Sequence, residues 1–151
     1  MTLLIVAVLI CGGMRSAQIN KKCEDITLTV TEKGYLDKNS MYVDGYVTAF
    51  RLDVFNGKKN DIIQINGTMK IYNANGDSLD ESSVTLQEEI LSGNTETLVI
   101  SLDRRITPKI KELYSAELQD LRITFKIDKI IFDNYKSKEY PKSRTMVITP
   151  K

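Results

Sequence analysis

The chain has 151 residues, 42% of them hydrophobic, which suits one folded domain with a sizeable core and excludes a disordered chain or a polytopic membrane protein. Lys and Arg number 21 against 20 Asp and Glu, a net charge of +1, so no concentrated basic surface is available for nucleic acid. There is no histidine, which excludes Ser-His-Asp and Cys-His nucleophilic sites and any histidine-ligated metal.

Leu3 to Ile10 is an unbroken apolar run, followed by Cys11, Gly12 and Gly13 and then by a polar stretch from Arg15 to Asp25. The run is far shorter than the ~20 residues a membrane-spanning helix needs. Its length fits the apolar region of a secretory signal, and the small residues after it fit a cleavage region. Residues 1–17 are therefore expected to be a signal peptide or N-terminal anchor, the other reading being a buried first strand. No Lys or Arg precedes Leu3. Cys11 is the candidate lipidation site, since Val8-Leu9-Ile10-Cys11 resembles a lipobox, with Ile10 where Gly or Ala is usual. Cys23 is the other cysteine. Two cysteines twelve residues apart across a cleavage region make no disulfide framework, and Cys23 reads as a surface or strand-edge thiol.

Residues 18–151 are expected to form a single β-sandwich domain. Ile26-Thr27-Leu28-Thr29-Val30-Thr31 alternates cleanly and predicts the first strand. Met41 to Phe55 predicts a long second strand, with Phe50, Leu52 and Val54 on one face and a bulge or bend at Gly45. After the solvated loop Asn56–Asp61, Ile63, Ile65, Met69 and Ile71 share a face, with Gly67 in step. Asn73-Ala74-Asn75-Gly76-Asp77 predicts a type I′ turn, because these residues tolerate positive φ. Val84, Leu86, Glu88 and Ile90 predict the fourth strand, and Leu98, Ile100 and Leu102 the inward face of the fifth.

One helix is expected. Thr107 can cap it, with Pro108 at its first position, where a missing N–H costs nothing. Ile110, Leu113, Tyr114 and Leu118 follow at helical spacing, as for a short helix plugging one end of a sandwich. Leu121, Ile123, Phe125 and Ile127 predict the sixth strand, continuing to Ile131 or Phe132, and Met146-Val147-Ile148 the seventh. Phe125 is expected at the centre of the core, faced by Phe50, Leu52 and Ile71. The fold expected is all-β: a seven-stranded immunoglobulin/fibronectin III-like sandwich with one short helix between strands five and six.

Val43-Asp44-Gly45-Tyr46-Val47, Met69-Lys70-Ile71-Tyr72-Asn73 with Gly76 after it, and Leu91-Ser92-Gly93 before a strand ending in Leu102 together resemble the FxLYD type of bacterial and archaeal envelope domain. The resemblance covers roughly residues 43 to 102. Tyr72 matches the name motif, while Met69, Ile71 and Asn73 stand for Phe, Leu and Asp, and Ser92 stands where Pro is usual. It implies an immunoglobulin- or fibronectin III-like sandwich outside the cytoplasm, often behind a signal or lipid anchor. It brings no catalytic residues.

No Gly-rich phosphate loop, CxxC pair or calcium-loop spacing is present. Asn73, Asn75 and Asp77 faintly resemble a calcium loop, but a downstream bidentate Glu is missing. Asn66-Gly67-Thr68 is a glycosylation sequon that falls within a predicted strand. Tyr35, Tyr42, Tyr135 and Tyr140 sit in polar surroundings and read as ordinary sandwich tyrosines with their hydroxyls at the surface, the other reading being a binding face. No cofactor or metal site is expected, and an enzyme would need a buried carboxylate pair. The function expected is a non-catalytic extracytoplasmic module for protein or surface-polymer interaction, or for structural spacing. Its partner would be a protein or cell-surface component, not nucleic acid, with membrane contact only through the N-terminal anchor. The alternative is a small-ligand carrier or chaperone using a groove between the sheets or under the 108–118 helix. Residues 1–17 fused to a periplasmic reporter are expected to direct export; retention of the reporter in the cytoplasm would make the run a core strand instead.

Overall fold

Alternation of apolar and polar residues builds two antiparallel sheets that bury their inward faces against each other. The computed structural model describes residues 25–35, 46–142 and 145–149. The signal-like run with Cys11, Cys23, and the stretch from Met41 to Gly45 fall outside the described residues. One sheet holds β1 (Ile26–Tyr35), β2 (Tyr46–Asn56) and β5 (Thr95–Arg104) in the order β1-β2-β5. The other holds β3 (Ile62–Tyr72), β4 (Ser78–Leu86), β6 (Arg122–Phe132) and the three-residue β7 (Ser137–Glu139) in the order β4-β3-β6-β7. The two-residue β8 (Met146–Val147) also pairs with β6.

Ile26, Leu28 and Val30 of β1, Phe50, Leu52 and Val54 of β2, and Leu98, Ile100 and Leu102 of β5 are all buried in one core with Met69, Ile71, Ile123, Phe125 and Ile127 of the other sheet. Ile71 lies opposite Ile123 and Met69 opposite Phe125 in the β3–β6 ladder. Ile71 is thus a neighbour of Phe125 within its own sheet; the residues on the opposing sheet are those of β2 and its partners. Gly67 of β3 gives the Phe125 ring its place. A Cβ on Gly67 would lie 2.3 Å from a carbon of the ring and 2.5 Å from the carbonyl of Lys126, so any other residue there would displace Phe125 or the β6 backbone.

The helix forms as its residues dictate. α1 spans Pro108–Ser115, and the Thr107 side chain accepts a 3.2 Å hydrogen bond from the Ile110 amide. Ile110 and Leu113 are buried, and the helix packs on β4 and β2. At its far end the Lys33 ammonium donates to the carbonyls of Tyr114 (3.0 Å) and Ala116 (2.5 Å). A cation is favourable there, where the last carbonyls lack helical partners. Leu118 falls in a separate 3-10 turn, Leu118–Asp120.

Several expectations are corrected by register. Ile62, not Ile63, is buried at the start of β3, because the register shifts between Ile62 and Gln64. In β6 a further shift leaves Asp128 as the extra residue, so that Ile130 is buried and Ile131 is only partly so. β4 begins at Ser78 and stops at Leu86; Ile90 instead makes a single bridge with Ile62. Neither Ala74 nor Asn75 has positive φ, whereas Gly76 has φ 88°. With the Gly76 amide donating to the Asn73 carbonyl, this is a type I turn followed by a left-handed glycine, not a type I′ turn. Eight strand segments are described where the sequence counts seven, the addition being β7.

Phe125→Ala is expected to cost about 3–5 kcal/mol in urea unfolding, while Lys126→Ala, which loses a half-exposed pair with Asp128, should cost at most about 1 kcal/mol. Gly67→Ala should cost about 1–3 kcal/mol by overpacking. The double variant should cost clearly less than the sum, since the trimmed ring no longer meets the new methyl group. Strict additivity would remove the Gly67–Phe125 contact as the cause.

Candidate functional site

Three connections meet at the end of the sandwich away from α1. They are the β2–β3 loop (57–61), the β4–β5 connection (87–94) and the β6–β7 turn (133–136). Loops at the end of a sandwich are free to carry recognition while the sheets fix their positions. Here side-chain hydrogen bonds of Asn56 and Asp61 join the first two, and the Asp61 carbonyl joins the third.

Asn56, the last residue of β2, is fully buried. Its Nδ2 donates to the carbonyls of Asn60 (3.0 Å) and Ile90 (2.9 Å), and its Oδ1 accepts from the Lys58 amide (2.9 Å). A buried amide must satisfy both its donors and its acceptor, and this one does so by holding two loops in a single arrangement. Asp61 takes the bracing further. Its Oδ1 accepts from the Ser92 amide (2.7 Å), and its carbonyl accepts from the Asp133 amide (3.0 Å). The Ser92 hydroxyl donates to the Lys58 carbonyl at 2.6 Å.

On this braced base stands Tyr135. The turn is closed by the Tyr135 amide donating to the Phe132 carbonyl (2.8 Å) and the Phe132 amide to the Lys136 carbonyl (2.9 Å). The Asn134 side chain accepts from the Lys136 amide at 3.0 Å. Tyr135 has φ 58°, and its side chain is 85% exposed. Left-handed backbone is strained for a residue with a Cβ, by about 1–2 kcal/mol, and glycine or asparagine would fit the position better. Leu91, 43% exposed, adds an apolar side chain on the neighbouring connection.

The sequence-predicted residues separate on this map. Tyr135 is exposed at the loop end, but Tyr140 is only 2% exposed and belongs to the core, which removes it from the surface set. Its amide donates to the Asp128 carbonyl at 2.8 Å, next to the β6–β7 pair Lys129–Glu139. The side chain of Tyr35, together with Tyr42 and Cys11, lies outside the described residues. Asn66 lies within β3, opposite Thr85 and Lys129, and its Oδ1 accepts from Gln64. In the turn with the faint calcium-loop pattern, the Asn73 Oδ1 already accepts from the amides of Asn75 (3.0 Å) and Asp77 (2.8 Å), an Asx turn that uses the oxygen a cation would need.

Between the sheets lie Phe50, Leu52 and Phe125, and α1 adds its own Ile110 and Leu113 to the same core. Among the described residues one open depression runs between the edges of the two sheets, lined by 85–89 and 96–99, and another lies beside 73–76 and 119–122. Asn56 and Asp61 were not singled out by the sequence. An asparagine ending a strand before glycine is a turn signal, but which loops it joins is a matter of tertiary structure.

No protein-family model matches the chain, and no curated protein does. Among solved structures it is similar to the Northeast Structural Genomics Consortium target SoR45, with 12% identity, 85% of each chain covered and a TM-score of 0.47. It is also similar to AT1g01470 from Arabidopsis thaliana, with 11% identity, 82% of each chain covered and a TM-score of 0.46. A third likeness is to the putative ApaA protein from Bordetella pertussis, with 17% identity, 83% of this chain and 93% of that one covered, and a TM-score of 0.42.

Asn56→Ala is expected to cost about 2–4 kcal/mol, because it strips hydrogen bonds from buried carbonyls. It should also speed hydrogen exchange at the Lys58 amide. Unchanged protection at Lys58 would mean that the loop is held without this side chain.

Proposed function

We propose that this chain is a non-catalytic extracytoplasmic module that binds a protein or a cell-surface polymer through the loop end carrying Tyr135. Its β-sandwich is of the immunoglobulin/fibronectin III-like kind, the reading to which both the order β1-β2-β5 over β4-β3-β6-β7 and the FxLYD-like residues lead. Export rests on the apolar run Leu3–Ile10 and the small residues behind it, with Cys11 as the candidate anchor. Membrane contact is then confined to that anchor.

The observation that carries the reading is the placement of Tyr135. A tyrosine buries a large area on binding and has few rotatable bonds to order, which is why it is enriched at recognition surfaces. This one is held out from the molecule on a strained residue whose turn is bonded to the neighbouring loop. Strain that persists at an exposed position, where glycine would relieve it at no packing cost, points to a use for the side chain.

Tyr135→Gly separates the use from the fold. The variant should be more stable than the parent, by about 1 kcal/mol, since glycine accepts positive φ freely. It should lose the component that the immobilised parent retains from a cell-envelope extract, as should Leu91→Ser. Lys109→Ala, on the helix at the other end, should retain it. Equal retention by all three variants would overturn the loop end as the binding surface.

A further inference from the structure

The edges of the two sheets are not equally protected. An exposed edge strand offers a row of unpaired N–H and C=O groups, and proteins blunt such edges with bulges, charges, proline, shortness or a covering segment. β1 has a register shift between Val30 and Glu32, and its Val30 amide donates to the Ile148 carbonyl at 2.7 Å. β4 carries Asp80 and Glu81 in its length and has a register shift at its start. β7 is three residues long. In β5 charges lie only at the ends, Glu96 at one and Asp103 and Arg104 at the other. The strand runs ten residues, pairs with β2 without a register shift, contains neither proline nor lysine, and is uncharged from Thr97 to Leu102. Among the described residues no backbone group pairs with its outer side. Val99, at the middle of its solvent face, is 59% exposed.

We propose that a second copy of this chain covers that edge, the two β5 strands pairing antiparallel about a two-fold axis to make one continuous six-stranded sheet. The axis must lie between the two copies of one residue. Opposite residues in an antiparallel pair share a face, and in β5 the even-numbered residues from Leu98 to Leu102 point inward while their odd neighbours point out. A strand meeting its own copy therefore pairs residues of equal parity. An axis at Ile100 sets Val99 opposite Ser101 and Leu98 opposite Leu102. It also sets Glu96 opposite Arg104, and does so twice.

That register matches the charges at both ends of the strand. An axis at Val99 would set Glu96 against Leu102 and leave Arg104 beyond the ladder. Arg104 is already oriented: Nε donates to Asp80 Oδ1 at 3.0 Å, one terminal nitrogen donates to Asp80 Oδ2 at 3.3 Å and to the Ser82 hydroxyl, and the other donates to its neighbour's carbonyl. The second of these terminal nitrogens keeps one N–H for a carboxylate arriving from outside, and the side chain is 36% exposed.

The full chain should show a concentration-dependent monomer–dimer equilibrium in sedimentation equilibrium. Glu96→Lys, at an exposed position that carries no core contact, should weaken it by about tenfold, as expected for two exposed ion pairs turned to repulsion. A register trap settles the geometry independently of stability. With Cys11 and Cys23 both replaced by Ser, the pair Val99→Cys with Ser101→Cys should form an intermolecular disulfide on mild oxidation. The pair Thr97→Cys with Val99→Cys should not, because neither of its positions faces the other across the axis. A monomer at every concentration, whatever then covers the edge, would overturn the proposal. So would equal cross-linking by the two cysteine pairs.

Discussion

The packing of the Phe125 ring over Gly67 is the contact on which the sandwich depends, because it settles two things together. It fills the middle of the core with a fully buried phenylalanine of β6, and it fixes the register between β3 and β6, the two central strands of their sheet. A slip of one residue in either strand would put a side chain where only a hydrogen fits and turn the inward set outward. Close packing makes such a site intolerant, since interiors hold few voids that could take up the displaced volume. The residues beside it follow from this register: Met69 against Phe125 and Ile71 against Ile123 within the sheet, with Phe50 and Leu52 buried from the other.

With the two sheets locked, the ends of the sandwich take different roles. One is closed by apolar contact: α1 lays Ile110 and Leu113 onto the core, and Lys33 reaches from β1 to its terminal carbonyls. The other is closed by polar contact, with Asn56 and Asp61 tying three connections by their side chains and carbonyls. A fully satisfied buried amide gives a loop one conformation at little net stability, because its hydrogen bonds replace ones made to water. That is the form of support a recognition surface requires, and Tyr135 and Leu91 stand above it.

The edge between the sheets is governed by a third kind of contact. Arg104 of β5 grips Asp80 of β4 through two N–H groups, and Ser82 joins the same carboxylate at 2.5 Å. This fork holds the two sheets together at the end near α1, and it leaves the length of β5 from Thr95 to Asp103 open. The loop end and the β5 edge are separate surfaces, the first the proposed site for a foreign partner and the second the proposed site for a second copy of the chain.

Much of this was legible in the sequence, for a physical reason. Period-two alternation is a local property, and it identified Ile26, Leu28 and Val30, then Phe50, Leu52 and Val54, then Leu98, Ile100 and Leu102 as buried faces. Helix capping is equally local, and Thr107 with Pro108 marked the start of α1. Where a strand's phase changes, local pattern fails. The bulges at Ile63 and Asp128 depend on what the partner strand offers, so the burial of Ile62 and Ile130 could not be read from β3 or β6 alone. The same holds for Tyr140, polar in its sequence surroundings yet buried where its segment pairs with β6. Asn56 and Asp61 looked like ordinary loop residues, since the chain segments they join lie up to 72 positions apart (Asp61 to Asp133). The sequence by itself determined which faces seek the core and where the helix begins; the tertiary structure alone decided register, bulges and the meeting of the loops, because those are set by contacts between residues distant along the chain.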